Sequence, residues 1–202
     1  GQPKPLYGIW GSGPDDVWAF SATELFHSSG WTDNGAAFSS FEVIKRAGTT
    51  SFLPIGLRAV WGGTSTDVWV LQALTGAPGA LAFDQCSRAE GWASGGPKLT
   101  EAFGERGGSI GSNLSGIWGT SSRDIWMVGE SGRIFHTDGY WGGMVQWSQV
   151  NSNTRANLNA VGGTRADDVW AVGDHGTIRH FTYDAAGALR WAHSDSKTTN
   201  AL

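Results

Sequence analysis

The chain has 202 residues, 40% of them apolar, enough to bury a sizeable core. A formal charge of −4 without any Lys/Arg block argues against a nucleic-acid partner, and no apolar run is long enough to span a bilayer. Twelve tryptophans, 31 glycines and a single cysteine, Cys86, suggest short strands, tight turns and flat side chains between sheets, and leave no intrachain disulfide or CxxC metal site.

Internal repetition decides the fold. Four segments align: LYGIWGSGPDDVW from Leu6, LRAVWGGTSTDVW from Leu57, LSGIWGTSSRDIW from Leu114 and LNAVGGTRADDVW from Leu158. In each, the Leu stands ten residues before an Asp: Asp16, Asp67, Asp124 and Asp168. The starts are 51, 57 and 44 residues apart. Each repeat predicts four strands in chain order. The first is Leu-x-small-Ile/Val-Trp-Gly, with Gly162 in place of Trp in the fourth copy. Its small residue (Gly8, Ala59, Gly116, Ala160) marks a close approach on the innermost strand. After a polar turn, the second strand (Val17–Phe20, Ile125–Val128, Val169–Val172) is apolar on both alternating faces, so both faces are covered. The third strand carries Leu25-Phe26-His27, Ile134-Phe135-His136 and Ile178-Arg179-His180, and Gly129–Gly132 and Gly173–Gly176 read as tight turns before two of them. The fourth strand is expected to begin near Trp31, Trp92, Trp147 and Trp191.

A small sheet cannot bury two faces alone. Radial packing of blades covers each face with its neighbour. The expected fold is therefore an all-β β-propeller of four-stranded antiparallel blades in one domain, 1–202, with blades near 6–56, 57–113, 114–157 and 158–202. Leu202 stands eleven residues after Trp191, as Leu158 does after Trp147, so it falls where a fifth repeat would begin. Four blades closing on themselves and an arc of a larger ring both fit, and the larger ring is favoured because four-bladed closure is the rarer architecture.

The repeated aspartates read as turn residues whose carboxylates accept backbone N–H groups. One carboxylate per turn cannot meet the six or more oxygens calcium takes, although Asp15 and Asp167 add a second in repeats one and four. His27, His136 and His180 read as half-buried groups hydrogen-bonded within their own blades. His175 and His193 read as surface residues. Trp18, Trp69, Trp126 and Trp170 are expected in the core, whereas Trp31, Trp92, Trp141, Trp147 and Trp191 are better placed for sugar contacts. No GxSxG, HExxH, P-loop or Rossmann fingerprint occurs. A sialidase-like site would need Tyr7, Tyr140 or Tyr183 as nucleophile, and no local pattern supports one.

The pattern WGxSxxDVWAVGxxGxIxH resembles the propeller repeats of secreted and lipid-anchored proteins of myxobacteria. It is more distantly similar to tectonin-type lectin propellers and to the propellers of photosystem assembly factors. The resemblance spans roughly residues 6 to 202 and implies the fold more than a function. Two departures are visible: AFSATELFH replaces the Gly-x-x-Gly turn in repeat one, and repeat two has an insertion, Gln72 to Ala80, with Phe83 in place of His.

The function expected is a non-catalytic binding scaffold that is secreted, periplasmic or on the cell surface, a mature secreted chain having lost its signal peptide. Its ligand is a protein or a glycan, with no cofactor and no metal. A homodimer or an additional chain could complete the ring. A propeller-fold glycosidase or lyase, and an architectural subunit, are the alternatives. Asp-to-next-Leu lengths of 41, 47, 34 and 34 place the variable loops opposite a uniform first turn. The residue after the motif Leu is Tyr7, Arg58, Ser115 and Asn159, four different groups in a repeated frame, and these are the expected ligand contacts.

Overall fold

The computed structural model describes residues 4–43, 53–75, 82–103, 113–141 and 144–197. Leu202 and the tip of the Gln72–Ala80 insertion lie outside them. The chain divides into two compact units, Gly1–Ser112 and Asn113–Leu202. Each holds two four-stranded antiparallel sheets with strands paired in chain order.

In the first unit, sheet one is β1 (Gly8–Gly13), β2 (Asp16–Phe20), β3 (Glu24–Ser28) and β6 (Ser39–Glu42). A two-stranded ribbon, β4 (Trp31–Thr32) and β5 (Gly35–Ala36), interrupts it. Sheet two is β7 (Leu53–Thr64), β8 (Asp67–Thr75), β9 (Ala82–Ala93) and β10 (Gly96–Phe103). In the second unit, sheet three is β11 (Leu114–Ser121), β12 (Asp124–Gly129), β13 (Ile134–Thr137) and β16 (Ser148–Val150), again with a ribbon, β14 (Tyr140–Trp141) and β15 (Met144–Val145). Sheet four is β17 (Leu158–Arg165), β18 (Asp168–Gly173), β19 (Thr177–Tyr183) and β20 (Leu189–Asp195). One blade-like sheet per repeat is thus what the repeat encodes, and the predicted strand over Ile125–Val128 lies in β12.

Two turns follow the glycine signal. Ser131 and His175 take left-handed φ of 57° and 56°, each followed by a glycine that does the same. Sheet one turns instead through Ser21, whose N–H donates to Glu24 O at 2.9 Å while its Oγ accepts the Glu24 N–H.

Within each unit the two sheets meet face to face, because the second strands are apolar on both sides. Trp18, Phe20 and Leu25 pack on Leu57, Val60, Val68 and Val70 of the next sheet. Trp126, Val128 and Ile134 pack on Leu158, Val169 and Ala171 in the same way. The Trp-Gly pair on the first strand fits this joint. A Cβ on Gly62 would come within 2.5 Å of the Trp10 ring, and one on Gly163 within 2.8 Å of the Trp118 ring. Each glycine leaves room for the preceding sheet's indole. The small-residue site behaves as expected at Gly116, where a Cβ would meet Ala160 Cα of the next sheet at 3.3 Å.

Four expectations are corrected. Two of the four outer strands begin near the expected tryptophan, β16 at Ser148 beside Trp147 and β20 at Leu189 beside Trp191, and the other two do not. Trp31 sits on the β4–β5 ribbon and is 81% exposed, Trp92 ends β9, Trp147 precedes β16, and only Trp191 lies on an outer strand, where it is buried. In sheet one the β4–β5 ribbon, and in sheet two the longer β8–β9 hairpin, take the tryptophan off the outer strand. The end carrying the first turns is not uniform either, since both ribbons project from third-to-fourth links on that end. Trp170 is not core but 38% exposed, because no sheet within its own unit packs on its face. Finally, Phe83 does not stand in the histidine position, as shown below.

Overpacking the Trp-Gly joint should cost stability at one glycine and not at its neighbour. Gly163→Ala, forced against Trp118 and the Asp168 carbonyl, should destabilise by about 1–3 kcal/mol. Gly162→Ala meets nothing within 4 Å and should leave the denaturation midpoint unchanged. Cys86 supplies a second check. It is fully buried, and burial pushes its thiol well above the ordinary value. A thiol reagent should therefore label it only at the rate at which the first unit opens.

Candidate functional site

Each sheet carries one polar network at its first-turn end. In sheet one the Asp16 carboxylate takes the indole N–H of Trp18 at 2.9 Å and the imidazole Nε2 of His27 at 2.8 Å on one oxygen, and the Ser12 hydroxyl at 2.6 Å on the other. In sheet three Asp124 takes Trp126 at 3.1 Å, His136 at 2.7 Å and the Thr120 hydroxyl. In sheet four Asp168 takes Trp170 at 3.0 Å, His180 at 2.7 Å and the Thr164 hydroxyl. An ionised carboxylate only accepts, so each imidazole presents its Nε2–H. The donors are side chains from three strands. The expectation of an aspartate accepting backbone N–H groups is corrected accordingly, while the histidines are bonded within their own sheets as expected.

Sheet two makes the same network with a different donor in place of the imidazole. Arg88 Nε donates to Asp67, which also accepts the Trp69 indole at 3.2 Å. Register explains the substitution. Trp18, Trp126 and Trp170 pair across the ladder with His27, His136 and His180, and Trp69 pairs with Arg88. The longer β8–β9 hairpin places Phe83 opposite Leu74, five residues away from the network. Two kinds of residue escaped the sequence reading here: Arg88, and the hydroxyls of Ser12, Thr120 and Thr164. Their signal was present, a Ser or Thr four residues before three of the aspartates.

A Ser, a His and an Asp in contact invite comparison with a hydrolase triad, but the connectivity differs. Ser12 and His27 both bond to Asp16, on different oxygens. The hydroxyl gives its hydrogen to the carboxylate, so the imidazole is not placed to take it as a base. The rings are committed to packing as well. His136 stacks on Trp126 at 3.9 Å, His180 on Trp170 at 3.6 Å, and His27 on Trp92 of the next sheet at 5.1 Å. Among the described residues, no group of three or more His, Cys, Asp or Glu side chains is placed to hold a metal. No helix there is long and apolar enough to cross a membrane.

The four expected contact residues lie at the opposite end, beside the β2–β3-type hairpins. Tyr7 is exposed, and its N–H donates to Phe20 O at 2.9 Å. Arg58, Ser115 and Asn159 share an unexpected feature: each is the extra residue of a β-bulge. The ladder steps from Leu57 to Ala59, from Leu114 to Gly116 and from Leu158 to Ala160, skipping the residue between. A bulge re-aims the side chain it carries. Arg58 and Asn159 are exposed and Ser115 is half-buried. Asn159 is held in place, its Nδ2 donating to Asp174 at 3.0 Å, while Asn157 donates to the other Asp174 oxygen at 2.8 Å. Those two amides hold the Asp174 carboxyl below the usual range.

The networks set an acid limit. Burial raises the Asp16 and Asp124 carboxyls, but donation from Ser12, His27 and Trp18, and from His136, Thr120 and Trp126, outweighs it and holds both below the ordinary value. For Asp168 the Thr164 and His180 hydrogen bonds lead in the same direction. A depressed folded-state pKa means stability is present above the unfolded carboxylate value, about 4, and is lost as pH falls through the folded one. Denaturant midpoints measured downward from about pH 4 should fall steeply. Asp124→Ala should flatten that fall and cost about 2 kcal/mol at neutral pH.

No protein-family model matches the chain, and no curated protein matches it in sequence. Among solved structures it is similar to a chain in the crystal structure of the Chaetomium thermophilum Nup170 NTD–Nup53 complex, at 16% identity and a TM-score of 0.48. The similarity covers 95% of this chain and 29% of that one.

Proposed function

We propose that this chain is a non-catalytic binding scaffold of β-propeller type, acting outside the cytoplasm, whose protein or glycan ligand is taken at the hairpin end through Tyr7, Arg58, Ser115 and Asn159. Its four sheets are, on this reading, blades of one propeller, either a ring of four or an arc of a larger ring. The observation that carries the proposal is the bulge. Three sheets break their ladder at the same step, and the residue skipped there differs each time: Arg58, Ser115, Asn159. A repeated distortion that presents a non-repeated side chain on a rigid sheet is suited to recognition. The closed Asp–His and Asp–Arg networks support a scaffold rather than a reaction centre, since their polar atoms are engaged with one another.

A second reading places the ligand at the first-turn end. Trp31 is 81% exposed on the β4–β5 ribbon, beside the turn residues Asp33 and Asn34, and Phe38 follows it. An exposed indole flanked by polar turn groups suits the face of a sugar.

A glycan array together with a pull-down from the native source identifies the ligand. Against it, Tyr7→Ala and Arg58→Ala should each weaken binding by about 1–3 kcal/mol with the melting temperature unchanged. Binding that survives both and is lost in Trp31→Ala moves the site to the first-turn end and overturns the hairpin-end assignment.

A further inference from the structure

One position on the third strands repeats in place but not in kind. The residue before the network His or Arg is Phe26, Ser87, Phe135 and Arg179. Each pairs with the residue after the second-strand Trp: Ala19, Val70, Met127 and Ala171. Ala171 packs in the apolar joint of the second unit with Trp126, Val128 and Ile134, and Arg179 shares its face. The arginine therefore turns toward sheet three, and it is only 5% exposed.

A guanidinium does not give up its charge in a protein, and a buried charge is costly unless a counter-charge stands beside it. Among the described residues no carboxylate pairs with Arg179. In the second unit Asp124 pairs with His136, Asp167 with Arg165, Asp168 with His180 and Asp184 with Arg190, and Asp174 holds Asn157 and Asn159. Arg179 has instead the Trp191 carbonyl. That acceptor is neutral, lies 3.3 Å from Nη2, and already takes the Asn153 amide at 3.0 Å. The Arg179 Nε is buried and bonded to nothing. Burial also lowers the arginine's pKa, as it does for a cation taken out of water. The indole N–H of Trp191 is a second buried donor without an acceptor. It belongs to the same face of sheet four, since Trp191 pairs with Phe181 and Arg179 with His193.

We propose that Arg179 binds a small inorganic anion of halide size in the joint between sheets three and four, with its Nε–H as the principal donor and the Trp191 indole N–H as a second. The observations select that class of ligand. Unpaired donors call for an acceptor, which rules out a cation. The guanidinium calls for a counter-charge, which a water molecule does not carry. A side chain this deeply buried admits a group of one or a few atoms and not the carboxylate of a bulky ligand. Packing does not ask for an arginine here. Sheets one and three hold Phe26 and Phe135 at the same position, and exchanging a buried charge for an apolar side chain is often neutral or stabilising. The anion binds the folded state alone, so it stabilises the second unit by mass action.

Urea denaturation of the 202-residue chain tests the proposal, near neutral pH and at fixed ionic strength, with gluconate replaced stepwise by chloride. Gluconate is too large to enter the joint. The wild-type midpoint should rise with chloride and level off, as a single saturable site requires. Arg179→Met and Arg179→Phe should each lose that rise. Arg155→Gln, which alters an exposed arginine on the link between β16 and β17, should keep it. Near-ultraviolet circular dichroism checks that each variant is folded. A wild-type midpoint indifferent to chloride overturns the proposal, and so does a rise that persists in a folded Arg179 variant. If neither Arg179 variant folds, wild-type crystals soaked in bromide decide. An anomalous peak within hydrogen-bond distance of Arg179 Nε supports the site, and the lack of one there overturns it.

Discussion

A carboxylate at the turn between the first and second strands governs the register of each sheet. Apolar alternation cannot do this here. Where one face is polar and the other apolar, a slip of one residue turns the wrong side inward and is costly. In β2, β8 and β12 the second-strand residues are apolar on both sides, so a slipped strand would still bury hydrocarbon. Asp16, Asp124 and Asp168 each resolve the ambiguity by demanding three donors at once, a hydroxyl four residues back, an indole two residues on and an imidazole across the ladder. A slip by one residue leaves a half-buried carboxylate short of its donors, which costs more than a single contact returns. The energy involved is modest at each site, but it differs between registers, and that difference selects one.

The fold was legible because repetition reports spacing, and spacing is what a ladder needs. The invariant step from motif Leu to Asp located every first turn, and the strands over Val17–Phe20 and Ile125–Val128 follow from it. The network was only half legible. The repeated Asp, Trp and His were visible, but their convergence depends on the cross-strand register, which a sequence without insertions fixes and one with insertions does not. Hence His27, His136 and His180 could be placed, while Arg88 was hidden behind a lengthened hairpin and Phe83 was counted in its stead. Trp31 and Trp92 miss the outer strand for a related reason. Trp31 follows its motif Leu by 25 residues and rides on an inserted ribbon, while Trp92 follows its own by 35 and lies near the end of a long β9. At the hairpin end, the variable residues Tyr7, Arg58, Ser115 and Asn159 were found by comparing copies. The bulge that presents three of them lies in backbone pairing that no residue type announces.

The joint between sheets adds a second constraint, of a different kind from the first. The carboxylate networks are closed within a sheet. The Trp-Gly motif is shared across two: the Trp belongs to one joint and the Gly to the other. A first-strand indole is accommodated only if the following sheet keeps a glycine two residues after its motif Ile or Val. Read this way, Gly162 is informative. Its own sheet tolerates the loss of the Trp, since the missing ring would have packed outward, while Gly163 beside it is still required by Trp118.

That division of labour bears on how such a chain can lengthen or shorten over evolutionary time. Because each sheet holds its own register through an internal carboxylate, a whole repeat can be duplicated or deleted and still arrive with its strands correctly paired. The only information that must match between old and new neighbours is one ring and one hydrogen-sized gap. A copied repeat carries both halves of that match, so tandem duplication creates compatible partners at the first attempt. Drift afterwards is uneven: hairpins and ribbons are free to diverge one repeat at a time, whereas a change of the joint glycine must wait for a change in the sheet before it.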